Sequence, residues 1–305
     1  DIQEEILERF YRDRWDAHQK LFPHRHPDRS PPAHKELVAR INQPRPRQVI
    51  EGFRGLAKST YMEETVILKA VFKEFHNCLI VAASYKMACD RLFPIANELL
   101  NNEELQALVG NLKGEVWRED RIVLSNGVCI QAMGRDAEMT GTKYGDWRPD
   151  AALLDDVESP EEVRTDADRE RTWKWFIQVF LPALHHPLYS WVRVLGTRRG
   201  VGSLPERLER DRWPTAKFPV EYIDADGLRR ATWPAKLSIA DIDEMRRTYA
   251  GDMHTYMQEY MCVATSEADR VFTREMFKVE ARDRTWHAVY AMIDPARTTK
   301  RETSA

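Results

Sequence analysis

The chain is poor in cysteine and contains no long hydrophobic run. Its four cysteines among 305 residues include no C-x-x-C pair, which argues against a disulfide framework and against a zinc site. No apolar run approaches the roughly 20 residues that a membrane-spanning helix needs, so no membrane partner is expected. The acidic start, Asp1–Glu5, is unlike a secretory signal, and we expect a reducing compartment.

An excess of positive charge is also missing. The formal net charge is −3, from 46 basic and 49 acidic residues. This balance excludes a histone-like binder of nucleic acid, although it allows a local basic face. Hydrophobic residues make up 43% of the chain and charged residues 31%, as in an ordinary globular protein. The length suffices for one large core domain and a smaller part.

The most informative segment that is present follows the apolar run ending at Val49-Ile50. Glycines, a lysine and a serine separate this run from a segment with helical periodicity, which predicts a strand, a loop and a helix start. The candidate nucleotide-binding residues of this segment are Gly52, Phe53, Arg54, Gly55, Leu56, Ala57, Lys58, Ser59 and Thr60. Lys58 would reach the β- and γ-phosphates and Ser59 would hold Mg²⁺. The pattern G-x-x-x-x-G-K-[ST] fits except that Ala57 replaces the last glycine.

Three carboxylates follow the buried strand predicted over residues 151–154. Asp155 lies where α/β sheets bind ligands, and with Ser59 it is a candidate ligand of Mg²⁺. Asp156 or Glu158 could polarise the attacking water. A purely structural interpretation is an acidic turn before a helix whose N-cap is Ser159. The upstream phosphate-binding motif favours the catalytic interpretation, because two nucleotide motifs on successive core elements rarely coincide.

Strands that alternate with helices predict an α/β fold with a mostly parallel sheet between helices. The predicted core strands are Gln48–Glu51, Cys78–Ala83, Ala151–Leu154 and Trp191–Leu195, with a hairpin around Ser125-Asn126-Gly127. The predicted helices include residues 1–22, 33–41, 60–75, 86–101, 161–180, 239–249 and 252–261. Near the end, residues 287–293 predict a further strand, which ends at Asp294.

A third polar motif follows the strand at Trp191–Leu195. It reads Gly196-Thr197-Arg198-Arg199, and Thr197 could sense a γ-phosphate through a hydrogen bond. A strand that ends in Gly-Thr is common, so this motif adds weight only together with the other two.

Taken in order, these motifs resemble the large subunit of tailed-bacteriophage terminases. Residues 53–60 are similar to the family's divergent Walker A motif, which carries an early arginine. Residues 148–150 leading into 154–158 are similar to its Walker B motif, and residues 195–198 to its coupling motif. Residues 289–297 are similar to the first strand of its RNase H-like nuclease, in which Asp294 would bind a catalytic metal. The resemblance covers the chain from about Ala33 to its end.

The resemblance implies a P-loop NTPase of the additional-strand type, in which Cys78–Ala83 is available as the strand between the P-loop and Walker B strands. It implies ATP and Mg²⁺ as cofactors, with a nuclease Mg²⁺ or Mn²⁺ in the complete protein. The implied partners are double-stranded DNA, the portal protein, the small terminase subunit and further copies in a ring. The implied location is the host cytoplasm. Because the chain ends eleven residues after Asp294, we expect no DNA cleavage from it.

The implied organisation has four parts. Residues 1–32 would form a helix and a proline-rich connector, 33–203 the ATPase core, 204–286 the remaining ATPase part with a lid and linker subdomain, and 287–305 the nuclease start.

An arginine finger is also implied, for which Arg54 is the candidate within the chain. Possible donors to a neighbouring subunit are Arg135, Arg148, Arg198 and Arg199. Two alternatives stay open, namely another P-loop translocase or helicase, and a structural protein whose P-loop no longer hydrolyses ATP.

Overall fold

An eight-stranded sheet forms the centre of the protein. The computed structural model describes residues 2–26, 29–137, 139, 141–159, 163 and 165–264. The strands of the sheet are β1 (Arg47–Gly52), β2 (Asn77–Ala82), β3 (Lys113–Trp117), β4 (Arg121–Leu124), β5 (Cys129–Gly134), β6 (Ala151–Asp155), β7 (Trp191–Gly196) and β8 (Thr215–Phe218). Their order is β3-β4-β5-β2-β6-β7-β1-β8, and only the β3–β4 and β4–β5 pairs are antiparallel. This confirms the predicted α/β class with a mostly parallel sheet.

Helices cover both faces of the sheet. They are α1 (Ile2–Arg12), α2 (Arg14–Leu21), α3 (Pro32–Ile41), α4 (Lys58–Val71), α5 (Tyr85–Asn101), α6 (Glu103–Val109), α7 (Asp166–Trp175), α8 (Leu181–Ala183), α9 (Leu204–Arg210), α10 (Ile239–Thr248) and α11 (Met253–Glu259). Successive strand residues point to opposite faces, so Ile50 and Ile80 pack with α4 and α5, while Val49 and Leu79 pack with the α7–α9 side. Burial on both faces explains why these strands read as continuous apolar runs.

The lateral order of the strands corrects one expectation. The strand between β1 and β6 is β7, whereas β2, predicted for that place, lies on the far side of β6. Leu195 of β7 is paired with both Ile50 of β1 and Asp155 of β6, so the ends of these strands lie level. Motif order along the chain does not fix lateral order, because a helical crossover can skip strand positions.

Several predicted element boundaries also change. The N-terminal helix is two helices, because Asp13 interrupts it and caps α2 by accepting the N–H of Asp16. Helix α7 begins only at Asp166 and is capped by Thr165, so the predicted cap at Ser159 is wrong for this helix. A π-helical turn, Phe176–Phe180, continues it toward α8. The predicted hairpin around Ser125-Asn126-Gly127 is present as β4–β5.

The segment after α9 contributes to the same sheet. Its strand β8 was not predicted from the sequence and pairs parallel to β1. A short antiparallel hairpin follows, β9 (Glu221–Ile223) and β10 (Arg229–Ala231). The predicted linker near residues 265–269, the strand at 287–293 and Asp294 lie outside the described residues. None of the helices in the described part of the chain is long and apolar enough to cross a membrane.

The N-terminal helices are joined to α4 by a buried polar network, defined here as His18, His26, His34, Tyr61 and Glu64. Glu64 Oε2 is hydrogen-bonded to His18 Nδ1 at 2.6 Å and to His26 Nε2 at 3.0 Å. The Tyr61 hydroxyl is hydrogen-bonded to His34 Nδ1 at 3.1 Å. Burying a charged group without a partner is energetically costly. These contacts offset that cost and so allow residues 2–26 to pack against α4.

Candidate nucleotide-binding cleft

Strand β1 ends at Gly52, and α4 begins six residues later at Lys58. The Lys58 side chain folds back over the loop and donates hydrogen bonds to the carbonyl oxygens of Gly52 at 2.6 Å and Phe53 at 3.2 Å. A Cβ at Gly52 would lie 2.6 Å from Leu56 Cδ2 and 3.0 Å from Lys58 Cδ, so glycine leaves the space that this arrangement needs. Burial lowers the pKa of Lys58, although the nearby Asp156 and Asp155 oppose that shift.

The alanine that breaks the P-loop pattern adopts the backbone conformation of a glycine. Ala57 has φ 68° and ψ 25°, which is the left-handed region. An alanine there costs about 1–2 kcal/mol relative to right-handed backbone. The departure at Ala57 therefore leaves the turn into α4 in place while adding strain to the loop.

The magnesium candidates Ser59 and Asp155 are in contact. Ser59 is in the first turn of α4 and Asp155 is the last residue of β6, and Ser59 Oγ donates to Asp155 Oδ2 at 3.1 Å. Burial raises the pKa of Asp155, which Arg91 opposes. Arg91 Nε lies 2.6 Å from the same Oδ2 atom.

The two candidates for the water-activating acid differ in position. Asp156 lines the cleft, has a left-handed backbone with φ 45°, and lies 3.9 Å from Arg199 Nη2. Glu158 is outside the cleft, where both its carboxylate oxygens accept the N–H of Leu204 at the start of α9, at 3.0 and 2.9 Å. In this arrangement Asp156 is placed for chemistry in the cleft, and Glu158 holds a helix end.

These groups surround a cleft of about 350 Å³ at the carboxyl ends of β1, β6 and β7. The lining residues are Arg54, Gly55, Leu56, Ala57, Lys58, Ser59, Thr60, Arg91, Asp155, Asp156, Thr197, Arg199 and Glu259. Among the sequence-derived candidates for nucleotide, metal and water in the described chain, only Gly52, Phe53 and Glu158 are outside this set, and the carbonyls of Gly52 and Phe53 hold Lys58. The carboxyl edge of a parallel sheet is where α/β proteins bind their ligands.

A larger cavity, of about 690 Å³, lies near the opposite, amino ends of β1 and β7. Two of its cations, Arg14 and Lys69, are both paired with Glu74. It has no helix N-terminus joined to a glycine loop, which is the feature that makes the smaller cleft suited to phosphates.

The candidates for the arginine finger differ in how deeply their side chains are buried. Arg198 is buried, donates to both Glu51 oxygens at 2.9 and 2.6 Å, and also contacts Glu209. Arg135 is buried and donates to Thr172 Oγ1 at 3.1 Å. Either side chain would have to give up buried contacts to reach a neighbouring subunit, so these two are weaker candidates than the exposed arginines.

Arg54 and Arg148 are exposed, and Arg199 and Arg54 line the cleft. These three arginines remain candidates for the finger.

Two cleft residues were missed by sequence reasoning. Arg91 comes from α5, the helix that follows β2, and Glu259 comes from the end of α11. Glu259 also accepts the N–H of Arg54 through its backbone carbonyl at 2.9 Å. The only available signal for Arg91 was its position in the second turn of a helix that starts at the binding edge of the sheet.

The donor set fits magnesium bound together with a phosphate chain. One hydroxyl and one carboxylate from this chain leave most positions of a Mg²⁺ octahedron to phosphate and water oxygens. Accordingly, the described residues contain no cluster of three or more His, Cys, Asp or Glu side chains that could hold a metal by itself. Lys58, whose ammonium is held by backbone carbonyls, is the cation available to a phosphate.

Comparison with known proteins returns structural neighbours only. No protein-family model and no curated protein matches the chain. Two solved ATPase domains of the Thermus phage P74-26 large terminase share 14% and 16% identity, each over 75% of this chain and over 93% and 92% of theirs, with TM-scores of 0.49 and 0.46. The HK97 bacteriophage large terminase shares 16% identity over 80% of this chain and 52% of its own, with a TM-score of 0.49.

The structural neighbours are large terminases. They bear the name of the family that the sequence motifs resemble.

Proposed function

We propose that this chain is the ATP-hydrolysing module of a viral DNA-packaging motor. The observation that carries the ATPase part is the meeting of Lys58, Ser59 and Asp155 in one cleft, with Ser59 Oγ 3.1 Å from Asp155 Oδ2. A lysine and a hydroxyl at a helix start, facing an acid at the end of another strand of the sheet, are the groups that phosphoryl-transfer sites use to hold Mg²⁺ and a triphosphate.

Each residue has a proposed role. Lys58 exchanges its carbonyl partners for phosphate oxygens, Ser59 and Asp155 hold the metal, and Thr197 contacts the terminal phosphate. Mg²⁺ and ATP, when bound, supply the electrophilic phosphorus and a leaving group whose charge the metal shares. Asp156 orients and deprotonates the attacking water. Arg54 stabilises developing charge from within the chain, or Arg148 or Arg199 does so in a neighbouring subunit.

The motor part of the proposal rests on the order of the motifs along the sequence. The expected partners are double-stranded DNA, a portal protein, a small terminase subunit and other copies in a ring in the host cytoplasm. Asp294 would bind Mg²⁺ or Mn²⁺ in a nuclease.

Two measurements test this function. The chain should bind a fluorescent ADP analogue in the presence of Mg²⁺ and release phosphate from ATP; absence of nucleotide binding would refute the ATPase. The complete motor should displace a triplex-forming oligonucleotide from duplex DNA without separating the duplex strands. Strand separation would favour a helicase, and binding without turnover, alone and on procapsids, would favour a non-hydrolysing structural role.

A further inference from the structure

Arg91 occupies the carboxylate oxygen that the proposed site assigns to magnesium. Its Nε lies 2.6 Å from Asp155 Oδ2, the same atom that accepts the Ser59 hydroxyl at 3.1 Å. Asp155 is nearly fully buried, whereas the Arg91 side chain is about one third exposed. The arginine therefore reaches inward from the rim of the cleft and covers the acid from the solvent side.

A guanidinium and a divalent cation compete for this oxygen, which also accepts from Ser59. Both need its lone pairs, and two like charges a few ångströms apart repel strongly in a buried site. Mg²⁺ must consequently displace Arg91 before it can bind Asp155 directly, or bind through water against the repulsion of the guanidinium.

A second acid is available to the displaced arginine. Glu63, on the turn of α4 after Ser59, interacts electrostatically with Arg91 and with Asp155. It is held by Arg25 at 2.5 Å, from the segment that follows α2. Arg91 thus remains within the electrostatic influence of a second buried acid, which Arg25 already pairs.

We propose that Arg91 is a positioning residue that keeps Asp155 from Mg²⁺ until the metal arrives with the nucleotide's phosphates, a role which rests on the proposed ATPase function. Phosphate oxygens add the ligands and negative charge that allow Mg²⁺ to compete with the guanidinium. Free Mg²⁺, which lacks them, does not displace it.

The test is the Mg²⁺ dependence of nucleotide binding, which requires no turnover. Anisotropy of a fluorescent ADP analogue is titrated with Mg²⁺ in wild-type protein and in Arg91→Ala. The Mg²⁺ concentration at half-maximal binding should fall about five- to tenfold in the variant, because a competing charge is removed from a partly exposed position. Arg91→Lys keeps a cation within reach of Asp155 and should return the value toward that of wild type.

Two further variants isolate the effect. Arg199→Ala removes one positive charge from the same cleft but from beside Asp156, so its shift should be clearly smaller. Lys86→Ala removes an exposed charge from the same helix, outside the cleft, and should leave the titration unchanged. Circular dichroism of all variants checks that each is folded.

The outcomes separate this inference from the proposed function. An unchanged Mg²⁺ requirement in Arg91→Ala, or equal shifts in Arg91→Ala and Arg199→Ala, would overturn the role of Arg91 and leave the ATPase intact. Weak nucleotide binding at saturating Mg²⁺ would also overturn it, since Arg91 would then contact phosphate. Wild-type protein that binds no nucleotide would overturn both.

Discussion

Helix α4 contributes charged and polar groups to two sites that are built differently. Its first turn, Lys58–Thr60, belongs to the cleft, and its next turns carry Tyr61 and Glu64 of the buried polar network. In the network, the side chains of His18, His26 and Glu64 are at most 7% exposed, and His34 and Tyr61 are at most 1% exposed as whole residues. The members are hydrogen-bonded to one another. None of the five members lines a cavity described for this part of the chain.

The cleft groups have partners that a ligand could replace. Lys58 is held by backbone carbonyls and Asp155 by the rim residue Arg91. Two of the cleft residues, Ala57 and Asp156, have strained left-handed backbone, and no network residue does. Burial of charged groups alone therefore does not mark a functional site. A functional site is marked by charged groups whose partners a ligand can replace, together with local backbone strain.

The largest effect is expected from removing the lysine of the cleft. Lys58→Ala removes the cation assigned to the phosphates and should lower the rate of ATP hydrolysis by at least about a thousandfold. Phosphate release by the purified variant measures this, with Lys86→Ala as the matched surface control. Retained turnover would refute the site, provided that both variants unfold at similar denaturant concentrations.

The second prediction separates the two acids near the cleft. Asp156→Asn should slow hydrolysis by about a hundredfold while leaving nucleotide binding intact, because only water activation is lost. Glu158→Gln should mainly lower stability, since Glu158 accepts the N–H at the start of α9. Parallel rate and denaturation measurements check both, and the reverse pattern would assign water activation to Glu158.

The third prediction breaks the network instead of the cleft. Glu64→Gln removes the charge that accepts from His18 and His26, which should lower the free energy of unfolding by about 3 kcal/mol. The rate of hydrolysis should stay near that of wild type. Urea denaturation measures the loss, and Glu36→Gln, an exposed change on α3, is the control. A large loss of rate with unchanged stability would remove the distinction between the two sites.

The fourth prediction concerns pH. Burial lowers the pKa of His34 from 6.5 to about 4, so the unfolded chain binds a proton in this range while the folded protein does not. The stability from His34 is complete above about pH 6.5 and is lost as the pH falls toward 4, by about 3 kcal/mol. Denaturation curves of wild type and His34→Gln across this range should converge at low pH; parallel curves would contradict it.

The smallest effect is expected from relieving the backbone strain at Ala57 in the cleft. Ala57→Gly should raise stability by at most about 1 kcal/mol, because relief of left-handed strain is partly offset by a more flexible unfolded chain. Lys73→Gly, at φ 54° outside the cleft, is the matched control for strain. Only Ala57→Gly should also change the affinity for nucleotide. A similar change in both variants would show that strain at Ala57 has no special part in the cleft.

Most residues of the candidate site could be predicted from local sequence motifs. The strand, loop and helix around Gly52–Thr60, and the acids after β6, follow from patterns within a few residues of one another. Arg91 could not be assigned, because its contact with Asp155 depends on how α5 lies across the ends of β2 and β6. The pairing of Arg198 could not be predicted for a similar reason, since its partner Glu51 is on another strand.

The α/β class, the glycine-bearing loop between β1 and α4 and the acids after β6 could all be derived from the sequence, because periodicity and turn chemistry act over short distances. The tertiary structure alone decided that β7 lies between β1 and β6, that Glu158 faces α9, and that Arg91 covers Asp155. These depend on strand order and helix packing, which bring together residues that are distant in the chain.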